Sequence, residues 1–132
     1  FILGWDSETP EVFEYTLKFL EEHKVPVAYF NVLTPEKGTP FYEKMVSSGR
    51  VFNIDEIDRY PGQICYFKPL WCEPKELEEG IREMYRKFYS FKSMIHRLPF
   101  PLTQDAMASW FINLSQRRMA KNVDGDNNFD EF

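Results

Sequence analysis

The chain has 132 residues, with 16 Lys+Arg against 21 Asp+Glu and a net charge of −5. That length suits one domain with an ordinary core. The acidic balance argues against a non-specific nucleic-acid binder, and no apolar run approaches the ~18 residues of a membrane span. Aromatic residues make up 17% of the chain, so large side chains should dominate a core or an interface.

The chain opens Phe1-Ile2-Leu3-Gly4, without an initiator Met, and reads as the inside of a buried strand. A piece of a longer protein is therefore expected. Thr9-Pro10-Glu11 predicts a helix start, with Thr9 as N-cap and Pro10 in the first turn. Phe13, Leu17 and Leu20 share one face, and the helix should fade between Glu22 and Lys24, before Pro26. Val27 to Leu33 predicts a second strand, apolar on both sides except at Asn31, as in a covered parallel sheet. Thr39-Pro40 repeats the cap-and-proline start for a short helix carrying Phe41, Tyr42, Met45 and Val46, stopped by Gly49. Strand, helix, strand, helix is an α/β pattern with parallel strands and a right-handed crossover. Function in such units sits at the carboxyl ends of the strands, here Gly4-Trp5-Asp6 and Leu33-Thr34-Pro35.

Val51 to Pro61 reads as irregular, and Gln63 to Pro69 as a third short strand or an extended loop. Glu73-Pro74 begins a long helix whose stripe of Leu77, Ile81, Met84, Tyr85, Phe88, Phe91 and Ile95 recurs at helical spacing. Glu78–Arg82 and Glu83–Lys87 are favourable pairs on its polar face. Leu98-Pro99-Phe100-Pro101 breaks the direction. Thr103 caps a last helix with Met107, Trp110, Phe111 and Leu114 on one side and Arg117, Arg118 and Lys121 near its end. The tail from Asp124 to Phe132 is acidic, and is expected to be mobile.

Few groups carry chemistry on their own. Cys65 and Cys72 are too few for a disulfide scaffold or a cysteine-ligated metal site and read as buried structural thiols, which points to a reduced, cytoplasmic setting. Asp124-Gly125-Asp126-Asn127-Asn128 imitates the opening of a calcium loop but lacks its later glycine and glutamate. His23 and His96 have no second ligand at metal spacing. Asp6 and Glu36, at the two strand ends, are the one carboxylate pair that an acid–base hydrolase would use. No phosphate-binding glycine motif is present.

At the strand ends the sequence resembles a known family. Phe1-Ile2-Leu3-Gly4-Trp5-Asp6-Ser7-Glu8-Thr9-Pro10 resembles the fifth barrel strand and following loop of radical S-adenosylmethionine enzymes. Asn31-Val32-Leu33-Thr34-Pro35, then Gly38-Thr39-Pro40-Phe41-Tyr42, resembles the end of their sixth strand. The likeness is nearest to the class with an N-terminal cobalamin-binding domain, which includes magnesium-protoporphyrin monomethyl ester cyclases and hopanoid methyltransferases. It covers roughly residues 1–98. The family's cluster-binding C-x-x-x-C-x-x-C, its Gly-Gly-Glu-type element and its cobalamin domain have no counterpart in this sequence. Ser7 stands where an acid is common, and Glu36-Lys37 where an apolar residue and a proline are common.

The resemblance implies an α/β fragment of a partial (β/α) barrel, its last two βα units, followed by a mainly helical extension. Residues 1–50 would form the barrel units, 51–123 the extension and 124–132 an acidic tail. Ile2 and Gly4 would flank the amino-acid or ribose part of S-adenosylmethionine, and Val32 and Leu33 would lie by its adenine. In the full enzyme a reduced 4Fe-4S cluster, bound upstream, would split S-adenosylmethionine to a 5′-deoxyadenosyl radical, possibly alongside cobalamin, with the barrel positioning the reactants. The partners implied are the upstream barrel of the same polypeptide, a small-molecule substrate and a second copy of the fragment, with no nucleic acid and no membrane span. The fragment alone would be inactive. The alternative is a non-catalytic interaction module that docks a partner through its aromatic helices.

Overall fold

Two short apolar runs pair as strands in the computed structural model, which describes residues 1–57, 62–101 and 103–122. The expected acidic tail, and residues 58–61 of the irregular stretch, lie outside the described residues. β1 (Ile2–Leu3) and β2 (Asn31–Val32) are parallel, with Ile2 opposite Asn31 and Leu3 opposite Val32. The Asn31 N–H donates to the Phe1 carbonyl at 2.9 Å and the Leu33 N–H to the Leu3 carbonyl at 2.8 Å. The expected parallel pairing is present, but β2 is shorter than the predicted Val27–Leu33. The ladder starts where the Phe1 amino group meets the Tyr29 carbonyl, at 2.7 Å. Upstream of it the backbone is satisfied by side chains: the Tyr89 hydroxyl donates to the Ala28 carbonyl at 2.7 Å, and Arg97 donates to the carbonyls of Val25 and Pro26.

The helices follow local chemistry with two departures. α1 (Val12–Glu22) starts later than the Thr-Pro signal predicts. The Thr9 hydroxyl donates to the Glu11 carboxylate, and Thr9 to Val12 form a turn closed by the Val12 N–H on the Thr9 carbonyl. Its C-terminus closes with Lys24 at φ 49°, while the Val25 N–H reaches back to the Leu20 carbonyl at 2.9 Å. α2 (Pro40–Ser47) keeps the predicted start and stop: Thr39 Oγ1 accepts the Tyr42 N–H at 3.2 Å, and Gly49, at φ 65°, ends it.

The second departure is the long helix, which divides into α3 (Pro74–Phe88) and α4 (Phe91–Arg97). Ser90 breaks it by capping α4, its Oγ accepting the Ser93 N–H at 3.2 Å. α5 (Gln104–Asn122) follows, with Thr103 Oγ1 accepting the Ala106 N–H at 3.3 Å. Residues 63–69 form no strand. They make one antiparallel bridge, Val51 to Phe67, beside which the Lys68 N–H donates to the Arg50 carbonyl. No helix among the described residues is long and apolar enough to cross a membrane.

The chain divides into two compact units. The first comprises Phe1–Phe13 and Tyr29–Ile81. Its core holds Leu3, Phe30, Val32, Met45, Phe67 and Leu77, all buried. Phe41 and Phe67 meet edge to face, with centroids 5.5 Å apart. The second comprises Glu14–Ala28 and the described residues from Arg82 on. It packs Leu20, Met84, Phe88, Tyr89, Met94 and Leu98 around a buried guanidinium, Arg97. The expected packing stripe reverses at its end: Phe91 and Ile95, and with them Met107, Phe111 and Leu114 of α5, face solvent. Polar contacts of Asn113 and Arg97 set that rotation.

Candidate functional site

Parallel pairing brings the carboxyl ends of β1 and β2 to one side of the first unit. The alternation of side chains then sorts the candidates. Leu3 and Val32 point into the core, whereas Ile2 and Asn31, opposite each other in register, share the exposed face. Of the four residues expected at an S-adenosylmethionine site, Ile2 is exposed, and Gly4, Val32 and Leu33 are buried.

Gly4 has φ +116°, a conformation that side-chain-bearing residues rarely adopt. A Cβ there would stand 2.9 Å from Leu77 Cδ2 and 3.5 Å from Leu33 Cβ. The space a side chain would take is filled by the chain's own core. The Gly4 N–H is taken as well: Glu8 Oε2 accepts it at 2.8 Å and accepts the Trp5 N–H at 3.1 Å. Glu8, next to Ser7, thus braces the end of β1. At the end of β2, Thr34 Oγ1 accepts the Gly62 N–H at 2.9 Å, and the Gly62 carbonyl accepts the Val32 N–H at 2.8 Å. The chain at Gly62 therefore covers the edge of β2 away from β1.

An ion pair closes the loop after β1. Arg50 grips Asp6 with both terminal nitrogens, Nη1 lying 2.8 Å from Oδ2, and donates through Nε to the Lys68 carbonyl at 2.7 Å. Lys44 Nζ stands 4.0 Å from the same carboxylate. The Arg50 hydrogen bonds hold the Asp6 carboxyl below its usual range. Asp6 is thus an engaged anion, unsuited to trading protons, and Glu36 lies on the exposed turn after β2. The partner of Asp6 is Arg50, 44 residues away, which spacing in the sequence does not indicate. Asn31 and Glu8 are two further polar groups that the fold brings to the strand ends. For Asn31 the signal was present, as the one polar residue in an apolar run.

Both cysteines are held as thiols in this fold. Burial pushes the Cys65 thiol up to about 12 and the Cys72 thiol up to about 11, so both are protonated at neutral pH. Cys65 Sγ donates to the Phe67 carbonyl at 3.0 Å, a packing role. Among the described residues no group of three His, Cys, Asp or Glu is placed to hold a metal. The His23 ring is exposed and stacks on Phe19 at 4.3 Å. For S-adenosylmethionine the fit is confined to the exposed face, where Ile2 offers apolar surface and Asn31 a carboxamide.

Comparison with proteins of known function finds several relatives. The chain is 27% identical over 124 residues to the bacteriochlorophyllide d C-12(1)-methyltransferase of Chlorobaculum tepidum, covering 93% of this chain and 26% of that protein. It is 29% identical over 96 residues to the anaerobic magnesium-protoporphyrin IX monomethyl ester cyclase of Cereibacter sphaeroides, covering 73% of this chain and 15% of that protein. It is 33% identical over 54 residues to the hopanoid C-2 methylase of Rhodopseudomonas palustris, covering 41% and 10%. The chain therefore spans between a tenth and about a quarter of the length of these relatives. No family model and no solved structure matches it. The homologues of this chain are radical S-adenosylmethionine enzymes, methyltransferases and cyclases, and the similarity runs to their C-terminal regions.

Proposed function

We propose that the chain is the C-terminal part of a cytoplasmic radical S-adenosylmethionine enzyme of the methyltransferase or oxidative cyclase type. In this reading residues 1–50 supply the last two βα units of a partial (β/α) barrel, and the chain alone is inactive. One observation supports it above the others: the chain, 93% of which matches the methyltransferase, carries two parallel strands whose ends, Gly4-Trp5 and Leu33-Thr34, emerge side by side. Ile2 and Asn31 would touch the cofactor through their side chains. Gly4, Val32 and Leu33 would hold the two strand ends in place from the core side. When bound, the cluster and S-adenosylmethionine supply the radical chemistry. The cluster's ligands would come from the remainder of the polypeptide, since Cys65 and Cys72 do not make a C-x-x-x-C-x-x-C.

The test uses the longer polypeptide containing this chain, reconstituted anaerobically with iron and sulfide. Binding of S-adenosylmethionine is measured by equilibrium dialysis for the parent and for Ile2→Lys. An exposed Ile tolerates the change in the fold, and a second cation placed beside the sulfonium and ammonium end of the cofactor is expected to weaken binding about tenfold or more. Parent-like affinity in the variant would remove Ile2 from the site. A longer polypeptide without C-x-x-x-C-x-x-C would overturn the family reading itself.

A further inference from the structure

α5 is turned with its apolar side outward. Asn113 faces inward, its Oδ1 accepting from Arg97 Nη2 at 3.2 Å and its Nδ2 donating to the Pro26 carbonyl at 2.9 Å. Arg117 also turns in, donating to the Tyr89 carbonyl at 3.2 Å, with its guanidinium 4.2 Å from the Phe91 ring centroid. These polar contacts fix the helix's rotation. They leave Met107, Phe111 and Leu114, at positions i, i+4 and i+7, exposed along one side. α4 does the same, with Ser93 and Arg97 inward and Phe91 and Ile95 outward. Between the two helices Phe100 is 75% exposed, close to the 73% of Phe111 and the 68% of Ile95. Single exposed apolar residues need no explanation, but six of them on two consecutive helices and their connection do.

The exposed charges beside these side chains are basic. Of the cations in α4 and α5, Arg97 is buried and Arg117 is turned inward, whereas Lys92 and Arg118, with His96, are exposed. Large apolar side chains with basic neighbours on an otherwise acidic chain complement an anionic amphiphile. A second copy is a poorer occupant, because a symmetric contact would set the exposed Lys92 and Arg118 against their own counterparts. Apolar side chains flanked by cations suit a segment that would lie on the surface of a bilayer.

We propose that the outward face of α4 and α5, centred on Phe111 and Ile95 and flanked by Lys92 and Arg118, docks on an anionic lipid surface. The inference stands on the second unit alone and is independent of the reading of the strand ends. The test is co-sedimentation of the full 132-residue chain with vesicles of phosphatidylcholine alone or of phosphatidylcholine with phosphatidylglycerol. Partition onto the anionic vesicles is expected to exceed that onto neutral ones about tenfold or more, and to fall as salt rises. Phe111→Asp, and separately Lys92→Glu with Arg118→Glu, should each lower it about tenfold with an unchanged circular dichroism spectrum, since all three side chains are exposed. Equal partition onto both vesicle types, no partition, or retention by either variant would overturn the proposal. So would a dimer in sedimentation that Phe111→Asp dissolves, because it would assign the face to a second copy.

Discussion

Asp6 shows how a single residue's role depends on a partner that spacing does not reveal. Its sequence context, a carboxylate after a strand-ending Gly, suggests chemistry. Arg50 instead makes it a clamp between the β1 loop and the segment after α2. Arg50 lowers the carboxyl pKa in the folded chain, so the pair stabilises fully above the unfolded-state value. That contribution is lost as pH falls through the lower folded-state value. Asp6→Asn should therefore cost about 1–3 kcal/mol at neutral pH, leaving a largely buried guanidinium without its anion. It should also flatten the decline in urea stability expected of the parent below about pH 4. Parallel acid limbs for parent and variant would show that Asp6 is not the group responsible. Gly4 is the opposite case. Its place in the text reads equally as a strand stop or a cofactor approach, and the structure supplies a packing reason: φ +116° with Leu77 filling the Cβ position.

At the scale of elements, helix existence is well marked and helix extent is not. Thr39, Pro40 and Gly49 act locally, and α2 has the predicted bounds because each makes its bond within a few residues. The break between α3 and α4 competes with an unbroken apolar period, and Ser90 wins by capping. The orientation of α4 and α5 is settled by Arg97. Its donors reach Ser93 Oγ, Asn113 Oδ1 and the carbonyls of Val25, Pro26 and Phe88, and its guanidinium lies 3.5 Å from the Phe88 ring centroid. Burial pushes the guanidinium down to about 10, so it remains charged at neutral pH. A lysine keeps the charge but not the fork. Arg97→Lys is accordingly expected to cost about 2–4 kcal/mol in urea unfolding, well beyond an exposed substitution. A loss below ~0.5 kcal/mol would mean that charge alone, and not the five-way contact, organises this unit.

At the scale of the whole molecule, the open question is the outer edge of β1. Among the described residues the sheet has only two strands, and the chain around Gly62 covers the edge of β2. The fold-back that could have covered β1, residues 63–69, bridges Val51 instead. Phe1, Ile2 and Trp5 remain substantially exposed beside that edge. An uncovered apolar edge pairs readily with another chain. The isolated chain is therefore expected to self-associate at high micromolar concentration in sedimentation velocity, and Phe111→Asp, on the other unit, should leave that association intact. A clean monomer across the concentration series would refute it.

Local chemistry in the sequence was enough to determine the parallel α/β start, the bounds of α2 and the existence of the later helices, because caps, prolines and periodic apolar residues act over a few positions. The kinship at the strand ends was legible for a similar reason: Phe1-Ile2-Leu3-Gly4 and Leu33-Thr34-Pro35 are contiguous phrases. Register and rotation were decided only in three dimensions. Which of Ile2 and Leu3 faces solvent depends on pairing with a strand about thirty residues away. Asp6 met Arg50, and Asn113 met Arg97, across separations that no local period encodes. The apolar side of α5 faces outward because a buried guanidinium must be satisfied by hydrogen bonds: in a dry interior an unmet charge costs more than a few apolar side chains left in water.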